Sequence, residues 1–343
     1  MGTDLPSFSF DPQHVAETLP QTRSIGGFWR RFFAFVVDGM ILAFLGWCIG
    51  LFFFETLCEL GLYGRLLGFL IAVPYFAVME SNIGGGQSFG KRLLNLRVVD
   101  AQGNTLSFER SFARYTICSL PVFLNGISFP FSTPPWVVIT VLGPIVFGMP
   151  GATLYLMIFN RNTRQGLHDL AVGSYVVRAS DTGSVVTKPI WKKHWAFLGF
   201  MFVTFTVITT VFISYTEKWE RFPQIMQDLW LIQQMDYVQN ASAQEPRLIS
   251  GSGERSRKIL TVNIVWAGNP ADQEAFAGQA ARIILQNDQR VQDYDQLHIV
   301  ITRGFNIGFA SAWHSNTFHG TPAEWQEHIF GASPATGSIQ TTQ

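Results

Sequence analysis

The chain has 343 residues, of which 48% are hydrophobic and only 14% are charged, and its formal net charge is zero. Soluble domains usually contain about 25% charged residues, so this composition predicts an integral membrane protein. The balanced charge argues against a nucleic-acid partner. The chain has three cysteines and no Cys-x-x-Cys pair, which excludes a disulfide scaffold and a zinc knuckle.

Residues 1–22 read as a polar N-terminal leader, because the first apolar run begins near residue 32 and no cleavage site is evident. We therefore predict a retained membrane helix and not a secretory signal. Five segments are apolar enough to cross a bilayer, for which about 20 residues suffice. They are residues 32–54, 62–79, 115–131, 136–159 and 195–215.

Two of these spans contain helix-breaking residues. The third contains Pro121, and the fourth is broken at Gly143-Pro144 and again at Pro150-Gly151. Lysine and arginine cluster before the first span and after the second and fourth, whereas loops 55–61 and 132–135 contain neither. This bias predicts a multi-pass inner-membrane protein with a cytoplasmic N-terminus. It also favours five spans, because omitting the third would move the last basic cluster outside.

The C-terminal part has a different character. Residues 216–257 predict an amphipathic helix and a polar linker. Residues 258–330 predict a strand, a helix capped by Asn269, and then one strand or a hairpin turning near Gly304. Residues 331–343 are predicted to be a disordered tail. The fold class is thus an α-helical polytopic membrane protein of about five transmembrane helices with a small C-terminal α+β soluble domain.

The stretch "GGGQSFGKR" nearly matches a nucleotide-binding phosphate loop, but Arg92 occupies the position of the required hydroxyl. The stretch also follows a predicted membrane helix and not a strand. We interpret it as a glycine elbow followed by a segment on the membrane surface. In that segment Lys91, Arg92 and Arg97 face lipid phosphates, while neighbouring apolar residues, including Leu96, lie in the acyl boundary. The next residues predict a hairpin turning at Gln102-Gly103-Asn104.

Arg31 and Asp38 lie on one face of the first span, because seven residues make nearly two helical turns. About 10 Å separates them along the helix axis, so we expect no direct bridge. An ionised carboxylate in hydrocarbon costs roughly 2.5–3.5 kcal/mol, so Asp38 should face the bundle interior with a partner or be protonated. Three roles remain open for it: structural assembly, ion or proton binding, or a position near the interface.

His168 and Asp169 end a basic run on the predicted cytoplasmic side. Asp169 is placed to reach Arg31 or Arg164, and His168 is either a titrating gate or an ordinary surface group. The C-terminal domain has four histidines, but their spacing fits no zinc site, and no nucleophile motif is present. We therefore predict no cofactor, no metal site and no enzymatic activity.

Three segments together resemble the RDD family of membrane proteins. They are "GGFWRRFFAFVVDGMIL", "GGGQSFGKRLLNLRVVDAQGNTLSF" and "RQGLHDLAVGSYVV", within about residues 23–180. The resemblance places the family's named arginine at Arg31 and its two aspartates at Asp38 and Asp169. It implies a bacterial membrane module loosely associated with transport, with cation/proton exchange in some members. The fifth span and the C-terminal domain lie outside the resemblance.

Two functional hypotheses follow. In the first, a transporter-like module uses Asp38 to take up and release a proton or small cation, while Arg31 and Asp169 tune its pKa and close the cytoplasmic side. In the second, the bundle is a membrane-anchored scaffold, and residues 258–330 bind a protein partner. Either form, embedded in the lipid bilayer, is compatible with a homo-oligomer.

Overall fold

The computed structural model describes residues 22–126, 140–216, 222–245, 247–248, 257–331 and 340–342. The chain divides into two compact units, each assembled from three separate stretches. The first unit comprises Met1–Asp38, Val73–Cys118 and Gly151–Ala196. The second comprises Gly39–Ala72, Ser119–Pro150 and Phe197–Gln343.

Among the described residues, three helices are long and apolar enough to cross a membrane. They are α1 (Phe28–Leu60), α5 (Thr140–Phe159) and the apolar part, Lys192–Val211, of α7 (Lys192–Thr216). Helix α1 is longer than predicted and contains a kink at Phe53 (φ −128°, ψ 26°). The shorter α2 (Tyr63–Met79) is apolar and coincides with the predicted second span.

The predicted third span corresponds to α4 (Phe108–Leu124), which begins seven residues earlier than the predicted start at residue 115. Residues 127–131 of that prediction lie outside the described residues. In α5 the predicted interruption at Gly143-Pro144 is a π-helical turn, Pro144–Gly148. The predicted break at Pro150-Gly151 is wrong, because the chain is α-helical over Met149–Phe159. Pro150 has no backbone N–H to donate within the helix, and the π-helical turn directly before it changes the hydrogen-bond pattern at the place where that donor is missing.

The glycine elbow is present between α2 and the short helix α3 (Phe89–Leu93). Gly85 and Gly86 have φ of +72° and +75°, a region that favours glycine. Strand β1 (Leu96–Val99) follows, but the predicted hairpin at Gln102-Gly103-Asn104 is wrong. The chain does turn at Gly103 (φ +88°), yet β1 pairs antiparallel with β2 (Tyr175–Arg178), which lies beyond the short helix α6 (Leu167–Val172).

The β1–β2 pairing is explained by apolar burial. One side of this two-stranded sheet packs in a cluster with α1 and with the segment before α4. The buried members of this cluster are Ala34, Leu96, Val98, Leu106 and Val176. A local hairpin would not supply the two consecutive valines of β2, so the long-range partner is preferred.

The second unit contains a six-stranded sheet with strand order β3-β5-β6-β7-β8, and β4 pairs with β5. The strands are β3 (Val238–Gln244), β4 (Arg247–Leu248), β5 (Arg257–Trp266), β6 (Gln296–Asn306), β7 (Ser311–Gly320) and β8 (Gln340–Thr342). Strands β5 and β6 are parallel, and the crossover between them contains α9 (Gln273–Asn287). This is the predicted β–α–β unit. Residues 332–339 of the predicted tail lie outside the described residues.

Helices α8 (Phe222–Gln233), α9 and α10 (Pro322–Phe330) share a core with the sheet. The β6–β7 hairpin does not turn near Gly304 as predicted, since Gly304 pairs with Trp313 inside the ladder. The turn comes later, at Gly308 (φ +87°). Gly304 serves a close approach instead, because an added Cβ there would lie 2.6 Å from the Trp313 ring.

One acidic residue in this domain is buried without full compensation. Asp228 in α8 is 4% exposed, and its Oδ1 has no hydrogen-bond partner among the described residues. Burial, reinforced by the nearby Asp288, raises the pKa of Asp228 to about 7. An unfolded aspartate has a pKa of about 3.9, so the folded domain binds a proton that the unfolded chain releases between these values.

We therefore expect the contribution of Asp228 to the stability of the domain to be fully present below about pH 4. This contribution is lost as the pH rises through about 7. Thermal unfolding of the detergent-solubilised protein at pH 5.5 and pH 8 measures the difference. Asp228→Asn should reduce it and raise the pH 8 midpoint, whereas the exposed Asp293→Asn should leave both unchanged. An unaltered pH dependence in Asp228→Asn would contradict this assignment.

Candidate functional site

Arg31 is buried at the start of α1 and is held mainly by backbone carbonyls. Its Nε donates to the Gly26 oxygen at 3.1 Å, and its Nη2 donates to the Val176 oxygen at 2.8 Å. Its Nη1 donates to the Arg164 oxygen and lies 3.7 Å from Asp169 Oδ2. Arg31 therefore fastens the first helix to the segment that ends in β2, and it faces one of the two aspartates.

Asp169 lies in the first turn of α6, where its Oδ2 accepts from the Gly166 nitrogen at 3.2 Å. Its Oδ1 accepts from Arg114 Nε at 2.8 Å and from Ser174 Oγ at 2.9 Å. Burial alone would raise the pKa of Asp169. The charges of Arg114, His168 and Arg31 outweigh burial and hold the pKa of this carboxyl well below its usual range.

Glu80 follows α2 directly and is 1% exposed. Its Oε1 accepts from Lys91 Nζ, and its Oε2 accepts from Arg114 Nη1. Burial acts to raise the pKa of Glu80, but Lys91 and Arg114 together lower it. The sequence analysis did not single out Glu80 or Arg114 as site residues. An acidic residue directly after an apolar span was the available signal.

Asp38 occupies a separate branch of the site. Its Oδ2 accepts from Ser88 Oγ at 2.5 Å, and its Oδ1 accepts from the Gly90 nitrogen at 2.8 Å. Gly90 is required here, because a Cβ would overlap the carbonyl oxygen of Ala34. The Gln-Ser-x-Gly-Lys segment thus presents a hydroxyl and a backbone N–H to a carboxylate and not to a phosphate.

The two branches join in one network. Lys91 Nζ lies 3.5 Å from Ser88 Oγ, so contacts run from Asp38 through Ser88 and Lys91 to Glu80, and then to the arginines. The chain of contacts ends at Arg114, Asp169 and Arg31. Three cationic side chains match three carboxyl groups, and no direct contact joins Arg31 to Asp38 among the described residues. The expectation that these two do not bridge directly agrees with this geometry.

His168 and Arg164 occupy secondary positions. His168 is largely buried, with Nε2 3.7 Å from Asp169 Oδ2, so it is not an open surface group. Burial lowers the pKa of His168, but Cys118 and Asp169 raise it more, and the net shift is upward. The alternative pairing of Asp169 with Arg164 is not formed within the described structure. The Arg164 guanidinium instead donates to the Met157 oxygen at 3.2 Å.

The basic segment after the glycine elbow is only partly at the surface. Lys91 is bound to Glu80, Arg92 is exposed and donates to the Gly84 oxygen at 3.0 Å, and the Arg97 guanidinium lies 3.4 Å from Gln87 Oε1. Leu96 is fully buried in the β1–β2 sheet, so its predicted place in the acyl boundary is wrong. Contact of this segment with lipid phosphates stays a prediction.

The network can hold elements together, and its carboxyl oxygens are already engaged. Each oxygen of Asp38, Glu80 and Asp169 accepts at least one hydrogen bond from a protein donor. Among the described residues, no group of three or more His, Cys, Asp or Glu side chains is arranged to hold a metal ion. The arrangement resembles a closed internal network of ion pairs and hydrogen bonds, which we call the charge lock, more than an open binding site.

Arg114 is the central residue of this lock, because it contacts both Glu80 and Asp169. We expect Arg114→Met to destabilise the protein by about 3–5 kcal/mol, since it leaves two buried carboxylates short of a cation. Arg92→Met, at an exposed arginine, should cost no more than about 0.5 kcal/mol. Thermal unfolding in detergent micelles compares the two variants. Equal midpoints for them would argue against the lock.

The segment that carries this network is similar to a known protein family. The RDD family model matches residues 25–173. No curated protein and no solved structure matches the chain. The matched segment contains Arg31, Asp38 and Asp169, which the fold joins through Lys91, Glu80 and Arg114. The chain therefore matches the RDD family of membrane proteins over residues 25–173.

Proposed function

We propose that the protein is a membrane-anchored interaction protein: the RDD bundle is structural, and the C-terminal α+β domain binds a protein partner. The observation that carries this proposal is the closed network. All three carboxyl groups of the network are bound by protein donors, so none of them presents an unoccupied oxygen to a passing ion. A transport carboxylate would have to break these contacts in every cycle.

The proposed topology has five spans, a cytoplasmic N-terminus and an extracytoplasmic C-terminal domain. The domain contacts the end of α1 and the turn that follows it. Gln239 Nε2 donates to the Cys58 oxygen at 2.5 Å, and Arg303 Nη2 lies 2.8 Å from Glu55 Oε2. Loop 55–61 contains no lysine or arginine, which favours an outer position for it and for the domain that touches it.

The domain is fastened to the membrane helices by its β6–β7 hairpin. Phe305 and Ile307 are buried with Leu57 of α1, and Leu67 of α2 packs against them. The turn itself is satisfied internally, since the Ile307 nitrogen donates to the Ala310 oxygen at 3.0 Å. Irregular backbone beside membrane helices requires such satisfaction.

Four glycines on the two helices admit the hairpin. They are Gly46 and Gly50 on α1, and Gly64 and Gly68 on α2. A Cβ at Gly50 would lie 2.6 Å from the Phe305 ring, and a Cβ at Gly68 would overlap the Ile307 carbonyl oxygen. Each pair has small-xxx-small spacing, which elsewhere lets helices approach closely. Here the space left by the glycines accommodates the β6–β7 hairpin, and we call the four residues the glycine groove.

The sheet face opposite the helices is the proposed partner-binding surface. Its side chains are mostly polar, uncharged at most positions and partly exposed, with Val265 and Val300 as apolar members. Thr261, His298 and His319 form one row across three strands, and Asn263 and Thr317 belong to the next. Such a face contributes little to the domain core, and its hydrogen-bonding side chains suit recognition of a protein surface.

The glycine groove gives a direct test of the fastening. Gly68→Leu should displace the hairpin, because its side chain would occupy the space of the Ile307 backbone. In an Ile307→Cys background, a membrane-impermeant maleimide should label the Gly68→Leu protein but not its parent. Gly199→Leu is the control, since nothing lies within 4 Å of a Cβ at Gly199. Equal labelling in all three proteins would show that the hairpin is not held by the groove.

A second experiment separates anchoring from transport. Proteoliposomes containing the intact protein or Asp38→Asn are assayed for proton flux driven by sodium, potassium or lithium gradients. In parallel, a photo-crosslinking residue at Asn263 is compared with one at the lipid-facing Phe200. The proposal expects no Asp38-dependent flux and a specific protein adduct at position 263 only. Flux that disappears in folded Asp38→Asn would overturn it in favour of transport.

Transport of a proton or small cation remains the second candidate, and one feature favours it. The π-helical turn Pro144–Gly148 interrupts regular hydrogen bonding in an apolar helix, and such turns often occur at functional sites. In that scheme Asp38 would exchange its donors from Ser88 and Gly90 for the ion. Arg31 and Asp169 would then close the cytoplasmic side.

A further inference from the structure

A pocket in the first unit is lined by four arginines and by apolar side chains at the ends of two helices. Its volume is about 630 Å³. The lining residues are Gly27, Phe28, Trp29, Arg30, Ile158, Arg161, Arg164 and Arg178. It is separate from the charge network, whose carboxylates do not line it, and from the basic segment after the glycine elbow.

The four arginines have no carboxylate partner within the described structure. Arg30 and Arg164 donate only to backbone oxygens, those of Leu94 and Met157. Arg178 lowers the pKa of Asp181, although the hydrogen bonds from Ser24 have the larger effect on that carboxyl. No acidic residue lines the pocket. The pocket therefore concentrates positive charge that the protein does not neutralise, which favours an anionic occupant.

The loop that carries Arg161 and Arg164 is held in a fixed shape. Arg164 has a φ of +50°, an unusual value for a residue other than glycine. Its nitrogen donates to the Asn160 oxygen at 2.8 Å, and its carbonyl oxygen accepts from Arg31. Asn160 Nδ2 also donates to Thr163 Oγ1 at 2.7 Å. Strained backbone of this kind is often retained at binding sites, where it presents side chains in one arrangement.

The apolar side of the pocket identifies the kind of anion. Trp29 is 66% exposed on α1, and Ile158 is exposed on α5, and both helices are apolar enough to cross a membrane. Tryptophan is enriched at the level of lipid headgroups. Guanidinium groups bind phosphate through paired hydrogen bonds, and basic pockets between membrane helices bind anionic headgroups. A free phosphate ion would make no favourable contact with the exposed apolar side chains of Trp29 and Ile158.

We propose that this pocket binds the headgroup of an anionic phospholipid carrying at least two negative charges, with an acyl chain along Trp29 and Ile158. The arginines bind the phosphates, and four cations in a pocket that no carboxylate lines favour two phosphates over one. The lipid belongs to the cytoplasmic leaflet, a choice that rests on the orientation proposed above. Lipid binding itself does not depend on that orientation. Failure to bind lipid would therefore not contradict the proposed topology, and a different topology would not contradict lipid binding.

The test is native mass spectrometry of the full chain in a neutral detergent. The probes are cardiolipin with two phosphates, phosphatidylglycerol with one, net-neutral phosphatidylcholine, and inorganic phosphate and pyrophosphate. We expect cardiolipin to bind most tightly. Arg161→Gln combined with Arg178→Gln should weaken it by about tenfold or more, since one lost charged hydrogen bond is worth roughly that factor.

The matched control, Lys188→Gln combined with Lys193→Gln, removes the same charge from exposed positions outside the pocket and should change the affinity by less than about twofold. Unfolding midpoints without lipid check that each variant is folded, and Arg161→Gln alone replaces the pair if it is not. Equal weakening in both double variants would overturn the proposal as non-specific attraction. Tighter binding of pyrophosphate than of cardiolipin would assign the pocket to a soluble phosphate ligand instead.

Discussion

The fold of the first unit depends on the cost of burying charge beside a membrane. Arg31, Asp38, Glu80, Lys91, Arg114 and Asp169 come from distant parts of the chain, and each is expensive to bury alone. Together they form a charge-balanced chain of contacts in which each carboxyl oxygen accepts a hydrogen bond. Removing one member leaves another uncompensated, so the elements carrying them are specified as a set.

Buried polar groups must also be satisfied in the second unit. There, glycines leave room for the backbone of the hairpin, and ion pairs have a smaller part. The β6–β7 hairpin brings backbone oxygens against α1 and α2, and glycines remove the side chains that would block the approach. Phe305 and Ile307 then bury apolar surface in the same place. The sheet-containing domain is thereby held on α1 and α2 through packing, and Arg303 and Glu55 add one ion pair.

Arg31 connects the charge network to the arginine pocket. Its Nη1 lies 3.7 Å from Asp169 Oδ2 and also donates to the carbonyl oxygen of Arg164. The loop that presents Arg161 and Arg164 is therefore shaped by the network behind it.

The sequence by itself determined features that depend on neighbouring residues. Apolar run length predicted the three long apolar helices of the described residues, the glycines located the elbow at Gly85 and Gly86, and the local sequence pattern predicted the β–α–β unit. Helical geometry was enough to exclude a bridge between Arg31 and Asp38. Motif resemblance placed Arg31, Asp38 and Asp169 in one family pattern before their contacts were known.

Only the tertiary structure decided which distant residues meet. Glu80 and Arg114 became the centre of the network because three-dimensional packing brings them to Lys91 and Asp169, and no local pattern encodes that choice. Strand β1 pairs with β2 and not with its neighbour because burial of Val176 and Val177 favours the long-range partner. The sequence suggested a turn at Gly304, but this glycine instead allows the close approach of Trp313. A residue without a side chain suits both roles, and only the surrounding atoms distinguish them.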